Sequence, residues 1–228
     1  NDNLLHFVKP VFDRRVFLKT CTNGSSELMT NLSMSLVNAL YNLQLMKIAG
    51  ENGVAAYGAV MYVNFIFVAT FLGYAIGCAP VISYHYGAGN HAELKNLYKK
   101  SMSIILVWGV ILFGAAQLLA PVLSKIFVGY NTGLYAMTLH GFRVYAIAFL
   151  IIGINIFGSS FFTALNNGLI SAVISFLRTL VFQVIMVLTL PLWFGINGIW
   201  SAISIAEALT LIMTTTFFVR QKDKYHYL

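Results

Sequence analysis

The sequence predicts an all-α integral membrane protein: a bundle of six transmembrane helices with both termini on the cytoplasmic side. Three observations carry the prediction. Of 228 residues, 59% are hydrophobic and only 9% are charged, with mean hydropathy +0.79, whereas a soluble domain carries about 25% charged residues. The apolar residues fall into six runs, each long enough for a helix across a hydrocarbon core of ~30 Å, which takes roughly 20 residues. Lys and Arg, finally, gather on one side of those runs. A β-barrel would need segments of about 10 residues alternating apolar and polar, and no such pattern occurs.

Residues 1–23 are expected to form a cytoplasmic linker rather than a span. "LLHFVKPVFDRRVFLKT" mixes large apolar and basic residues as an interfacial helix does. The lobe of six spans, 24–219, follows, with helices expected at 25–48, 54–79, 101–124, 140–164, 169–193 and 196–219. Breakers separate them: "GENG" at 50–53, "YGAGN" at 86–90, "GYNTG" at 129–133, "LNNG" at 165–168 and "FGING" at 194–198. "HAELKNLYKKS" reads as a short basic helix on the membrane surface before the third span. Residues 220–228 form a basic cytoplasmic tail.

Orientation follows from the cations. Lys9, Arg14, Arg15 and Lys19 precede the first span, Lys95, Lys99 and Lys100 lie between the second and third, and Arg220, Lys222 and Lys224 follow the last. Arg178 is counted with the same side, as a residue snorkelling from its span end. Lys47, Lys125 and Arg143 fall on the other. Both termini are therefore cytoplasmic, as an even number of spans requires.

Several function classes drop out. The net charge of +7 is scattered between spans, not gathered on one face, so no nucleic-acid partner is expected. Cys21 and Cys78 have neither metal nor redox spacing, and the five histidines (His6, His85, His91, His140, His226) lack ligand spacing. "GAGNHA" (87–92) matches a dinucleotide fingerprint but follows a membrane span instead of a strand. "NGS" and "NLS" match glycosylation sequons on the cytoplasmic side or within the membrane. No nucleophile, base and orienting group form a set, so the chain is not read as an enzyme, and no cofactor is expected beyond a transported coupling ion.

Polar residues inside the spans are the informative ones. In "SSELMTNLSMSLVNALYN" (25–42), Glu27, Asn31, Ser35, Asn38 and Asn42 fall within about 80° on a helical wheel. Polar side chains in hydrocarbon face a bundle interior or a water-filled cavity, so the stripe is read as a cavity wall. The alternative is helix–helix glue. Asn64 in the second span joins the cavity set. In the fourth span Asn155, Ser159, Thr163 and Asn166 share a face, and the sixth carries Asn197, Ser201, Ser204, Glu207 and Thr214. Glu207 is the one carboxylate expected deep in the membrane. It is read both as a functional group and as a structural hydrogen-bonding group. The predicted substrate and ion cavity is Glu27, Asn31, Ser35, Asn38, Asn42, Asn64, Asn155 and Glu207, with Met34, Tyr41 and Phe65 adding apolar contact.

These residues resemble those of a family. "GYAIGCAPVISYHYGAGNHAELK" (73–95) is similar to the end of the eighth helix and the following loop of multidrug and toxic compound extrusion (MATE) transporters. "FRVYAIAFLIIGINIFGSSFFTALNNG" (142–168) resembles their tenth helix, "FGINGIWSAISIAEALT" (194–210) their last hairpin, and "NGSSELMTNLSMSLVNALYN" (23–42) their seventh helix. The resemblance implies a two-lobe, twelve-helix carrier in the plasma (inner) membrane that exports cationic or amphipathic compounds in exchange for protons or sodium ions. This chain would be its C-terminal lobe, with the N-terminal lobe and the lipid bilayer as partners. A start without Met is what that placement leads one to expect, and a self-sufficient half-transporter is the alternative.

There are departures. Many members place a Gln where this chain has Ala79. Carboxylates that some branches carry in the middle of the seventh and tenth helices are absent, with Met34 and Asn38 in the one and Asn155 nearest in the other. A lipid-linked oligosaccharide flippase of the same superfamily and a non-transporting membrane assembly subunit are the rival readings. The first would call for several cavity Arg or Lys residues.

Overall fold

The computed structural model describes residues 12–227, and for residues 16 and 18–31 the backbone alone. Residues 1–11, the first part of the expected linker, lie outside the described residues, as does Leu228. Among the described residues there are five helices long and apolar enough to cross a membrane, and no strand.

The first helix, α1 (Arg14–Gly87), has 74 residues. As a straight rod at 1.5 Å per residue it would reach ~110 Å, more than three times the hydrocarbon core. Gly50 prevents this. Its φ of 63° and ψ of −154° lie in a region of backbone space that is essentially glycine's alone, and there the helix folds back on itself. The two limbs then pack together: Tyr41 stacks on Tyr57 with ring centroids 5.1 Å apart, and the Tyr57 hydroxyl donates to Asn38 Oδ1 at 3.2 Å. The runs expected at 25–48 and 54–79 are these limbs. The backbone is helical from Arg14 onward, with no break at the expected linker boundary.

Helix α2 (His91–Val128) starts where the Asn90 side chain accepts from the Glu93 amide at 3.1 Å, satisfying a free helix-end donor. The surface helix and the third span, expected as two elements, form one, because no Gly or Pro lies between His91 and Trp108. The α3 helix (Thr132–Tyr145) is capped by Asn131, which accepts from Gly133 and Leu134. That cap starts the run earlier than residue 140. A 3₁₀ turn (Ala146–Ala148) joins it to α4 (Phe149–Ala164).

Together α3 and α4 form the most enclosed membrane-length run. Small residues let the neighbours close on it, which is how helices associate where lipid removes the hydrophobic drive. A Cβ at Gly153 would run into Phe71 and Ile105, and one at Gly158 into Thr214.

Helix α5 (Gly168–Phe176), capped by Asn167, passes through a π-helical turn (Leu177–Val181) into α6 (Phe182–Phe194). The last helix, α7 (Ile196–Tyr225), runs into the segment read as a tail. His226 then adopts a left-handed conformation (φ 55°) that turns Tyr227 back into the bundle. There Tyr227 is fully buried against Tyr98, Phe161 and Phe218, donating to the Phe218 carbonyl at 2.9 Å. The outer surface is apolar, as lipid contact requires: Leu118 is 80% exposed and Phe65 76%.

Candidate functional site

On the first limb of α1, Ser33, Val37, Tyr41 and Leu45, four residues apart, are buried and seat the limb on the lobe. Ser35, Asn38 and Asn42 lie on the exposed face beside that seam. Glu27 and Asn31 continue the stripe on the helix, but their side chains lie outside the described residues. Met34 and Phe65 are exposed. Tyr41 is not. It is 3% exposed, stacked on Tyr57, and donates to Gln183 Oε1 at 3.3 Å, so it belongs to the lobe's core. Asn64 is half-buried, and its Oδ1 meets no hydrogen-bond partner among the described residues.

The centre of the lobe holds a charged cluster. Glu207 on α7 is 1% exposed. Asn155 on α4, fully buried, donates through Nδ2 to both the Glu207 carbonyl (2.9 Å) and its Oε2 (2.7 Å). From the π turn, Arg178 Nε donates to Oε1 at 2.8 Å and Oε2 at 3.1 Å. Both ends of the pair lie deep. Arg178 is ten residues past Gly168 and Glu207 eleven past Ile196, each ~15 Å along its helix. The sequence reading of Arg178 as a snorkelling span-end residue is therefore corrected, and Glu207 is not a lone carboxylate. A side chain cannot reach the interface from that depth, so the cation takes an internal partner, as buried charges must.

The π turn shapes this arrangement. Arg178 and Gln183, five residues apart, would point about 140° from each other on a regular α-helix. The wider turn, a feature that recurs at functional sites, lets both face the lobe interior, Arg178 toward Glu207 and Gln183 toward Tyr41. Tyr41 and Tyr145 lie within electrostatic reach of Glu207, and Tyr145 also of Arg178 and Tyr57. Sequence reasoning missed Arg178, Gln183, Tyr57 and Tyr145 as members of this group. A residue count from Gly168 was the available signal for Arg178.

Other polar residues singled out earlier serve packing. Ser159 pairs with Ser171 (2.9 Å) and Ser175 (2.8 Å), and Thr163 donates to Ser171 (2.6 Å), tying α4 to α5. Asn166 occupies the α4–α5 turn at φ 58°. Asn197 bonds His140 at 2.8 Å near the opposite end of the lobe. An apolar cavity of about 270 Å³ lies between α1 and α2, lined by Thr70, Phe71, Tyr74, Ile104, Ile105 and Trp108, with no ionisable acid or base but the Tyr74 phenol. Among the described residues no three His, Cys, Asp or Glu side chains gather as metal ligands.

The family model MatE matches residues 28–189, more than half of the chain. The chain belongs to the MatE family. Solved structures agree in fold. The crystal structure of a MATE protein in the straight conformation superposes with TM-score 0.84 at 20% identity, over 96% of this chain and 49% of that one. An outward-facing multidrug resistance MATE family transporter of the MOP superfamily gives TM-score 0.83 at 20% identity, over 94% and 48%. A MOP superfamily transporter from Pyrococcus furiosus, described as having a binding pocket of reverse polarity, gives 0.82 at 20% identity, over 92% and 48%. The chain thus spans about half the length of the MATE structures it matches. No curated protein matches it.

Proposed function

We propose that this MatE chain is the C-terminal lobe of a two-lobe, plasma-membrane antiporter that exports cationic or amphipathic compounds by alternating access, driven by protons or sodium ions. It is a carrier, not an enzyme. With α1 folded at Gly50 the lobe crosses the membrane six times and both termini are cytoplasmic, in line with the Lys and Arg asymmetry. The observation that carries the reading is the exposed polar face of the first limb. Ser35, Asn38 and Asn42 stand in register outside the lobe's packed seam, where lipid contact alone would call for apolar residues. A facing lobe would turn that face into one wall of a water-accessible cleft, with Glu27 and Asn31 continuing it. Asn64, Asn155 and Glu207 complete the polar set behind it.

An oligosaccharide-lipid flippase, whose pyrophosphate calls for several cations, is less well supported: Arg178 is the one Arg or Lys in the buried polar centre among the described residues. The test is transport of a fluorescent cationic dye by proteoliposomes containing the complete two-lobe protein, under an imposed proton or sodium gradient. Gradient-dependent movement is expected. Asn42→Leu should slow transport at least several-fold with no loss of thermal stability. A variant that instead loses stability with unchanged turnover would favour a packing role, as in an assembly subunit.

A further inference from the structure

Two groups in the lobe's polar centre have incomplete bonding among the described residues: the buried Oδ1 of Asn155, which meets no partner, and the guanidinium of Arg178, which alone is partly accessible. Arg178 uses only its Nε–H, shared between the two Glu207 oxygens. A guanidinium has five N–H donors, and the two Nη groups meet no acceptor among the described residues, while 19% of the side-chain surface stays accessible. Glu207 is in the opposite situation. It is 1% exposed, and both its oxygens are engaged by Asn155 and Arg178. A compound entering here meets the cation, not the carboxylate.

The geometry points to Arg178 as the recognition group for an acidic substituent, a carboxylate or a phosphate, on the transported compound. This rests on the reading of the chain as a substrate-binding lobe. The cluster is built in three tiers. Asn155 Nδ2 bridges the Glu207 main-chain carbonyl and its Oε2, which fixes the carboxylate. The carboxylate in turn takes the Nε edge of Arg178 and sets the plane of the guanidinium. The distal edge, with its parallel Nη–H donors, is left in the geometry that grips a carboxylate or phosphate in two bonds.

The π turn supplies the position, since it lets Arg178 and Gln183 share the interior face. Charge balance narrows the ligand further. Arg178 and Glu207 already sum to zero, so a simple anion would leave a net charge deep in the bilayer, which is costly. A zwitterion would not. The favoured ligand is an amphipathic cation that also carries one acid group.

The probe pair is a rhodamine with a free carboxylate and its methyl ester, which share one cationic fluorophore. Binding to the detergent-purified complete transporter is read by fluorescence anisotropy, and transport in proteoliposomes under a gradient. The wild type is expected to bind the acid at least about tenfold more tightly than the ester, the size of a charge-assisted hydrogen bond. Arg178→Lys, which keeps the charge but loses the fork, should reduce the ratio. The double substitution Arg178→Gln with Glu207→Gln, which avoids a lone buried charge, should bring it near one.

Equal affinities in the wild type, no binding of the acid, or a preference that survives the double substitution overturns the assignment. The two readings separate cleanly. Gradient-driven movement of both dyes without acid preference leaves the transporter and removes the inference. An acid preference that depends on Arg178, with no movement of either dye, does the reverse.

Discussion

Replacing Glu207 by Gln removes the negative half of the buried pair while keeping the side chain's length. At the 2.8 Å separation of Arg178 Nε and Oε1, Coulomb's law gives about 6 kcal/mol for unit charges at an effective dielectric near 20. Both charges had to leave water to reach the site, so the pair's net contribution to stability is much smaller. The single variant does not recover that desolvation, because it leaves Arg178 charged and alone. Breaking one side of a buried pair costs about 3–5 kcal/mol. For a chain of this size each kcal/mol shifts the melting temperature by about 2–4 °C, so Glu207→Gln should melt ~6–20 °C lower. Arg178→Gln, which strands the carboxylate, should cost a similar amount. The double substitution should recover most of the loss, since a neutral pair of similar volume is often as stable as the ion pair it replaces. The assay is a thermal melt of detergent-purified protein followed by size-exclusion chromatography, run as a double-mutant cycle. Single variants that melt within 2 °C of wild type, or a double variant that loses the sum of the two, would refute the buried pair.

Two further outcomes follow from the fold. Gly50→Ala meets no atom within 4 Å, so its cost is backbone strain alone, about 1–3 kcal/mol for a side chain forced into that region. The melting temperature should fall by several degrees while circular dichroism shows unchanged helix content, and an unchanged melt would mean the reversal does not depend on Gly50. Tyr227, beyond the last helix, has its phenol pushed up from the ordinary tyrosine value, first by burial and then by Tyr98 and Tyr225. The folded state therefore holds the proton more tightly than the unfolded chain. Tyr227's contribution is fully present below the unfolded value of about pH 10 and is lost as pH rises through the folded one, by up to ~1.4 kcal/mol per pH unit. Melts at pH 9 and pH 11 should differ less for Tyr227→Phe than for wild type, and an equal difference would place the phenol in solvent.

Much of the fold was legible because membranes restrict the choices. Long apolar runs and the Gly turns between them marked the helices, and Gly50 and Gly195 both take the positive φ that only Gly adopts readily. Element boundaries were less legible where caps decided them. Asn131 starts α3 ahead of the apolar run, and the tail became helix and buried hook because Tyr227 has an aromatic pocket that no local pattern announces. In the site, Glu207 and Asn155 stood out as polar residues within apolar runs. Their pairing did not, because it joins residues 52 positions apart and depends on how α4 and α7 rotate against each other. Arg178 joined them through a π turn, whose extra residue changes the face that a 100° wheel assigns.

A polar stripe in lipid means an interior, but a lobe of a two-lobe carrier has two interiors: its own core and the cleft it would share with its partner. A wheel drawn on one helix treats them alike. On the first limb, the buried line Ser33–Val37–Tyr41–Leu45 and the polar line Ser35–Asn38–Asn42 run side by side with nearly the same period, and only the neighbouring helices decide which is covered. Tyr57 and Gln183 cover the first, and the second stays exposed even where Tyr57 donates to Asn38. The same packing draws Asn155 and Glu207 into the core while leaving 19% of the Arg178 side chain accessible. The core carboxylate is therefore placed to orient the Arg178 guanidinium, whereas the polar stripe is left for whatever covers the outside of the lobe.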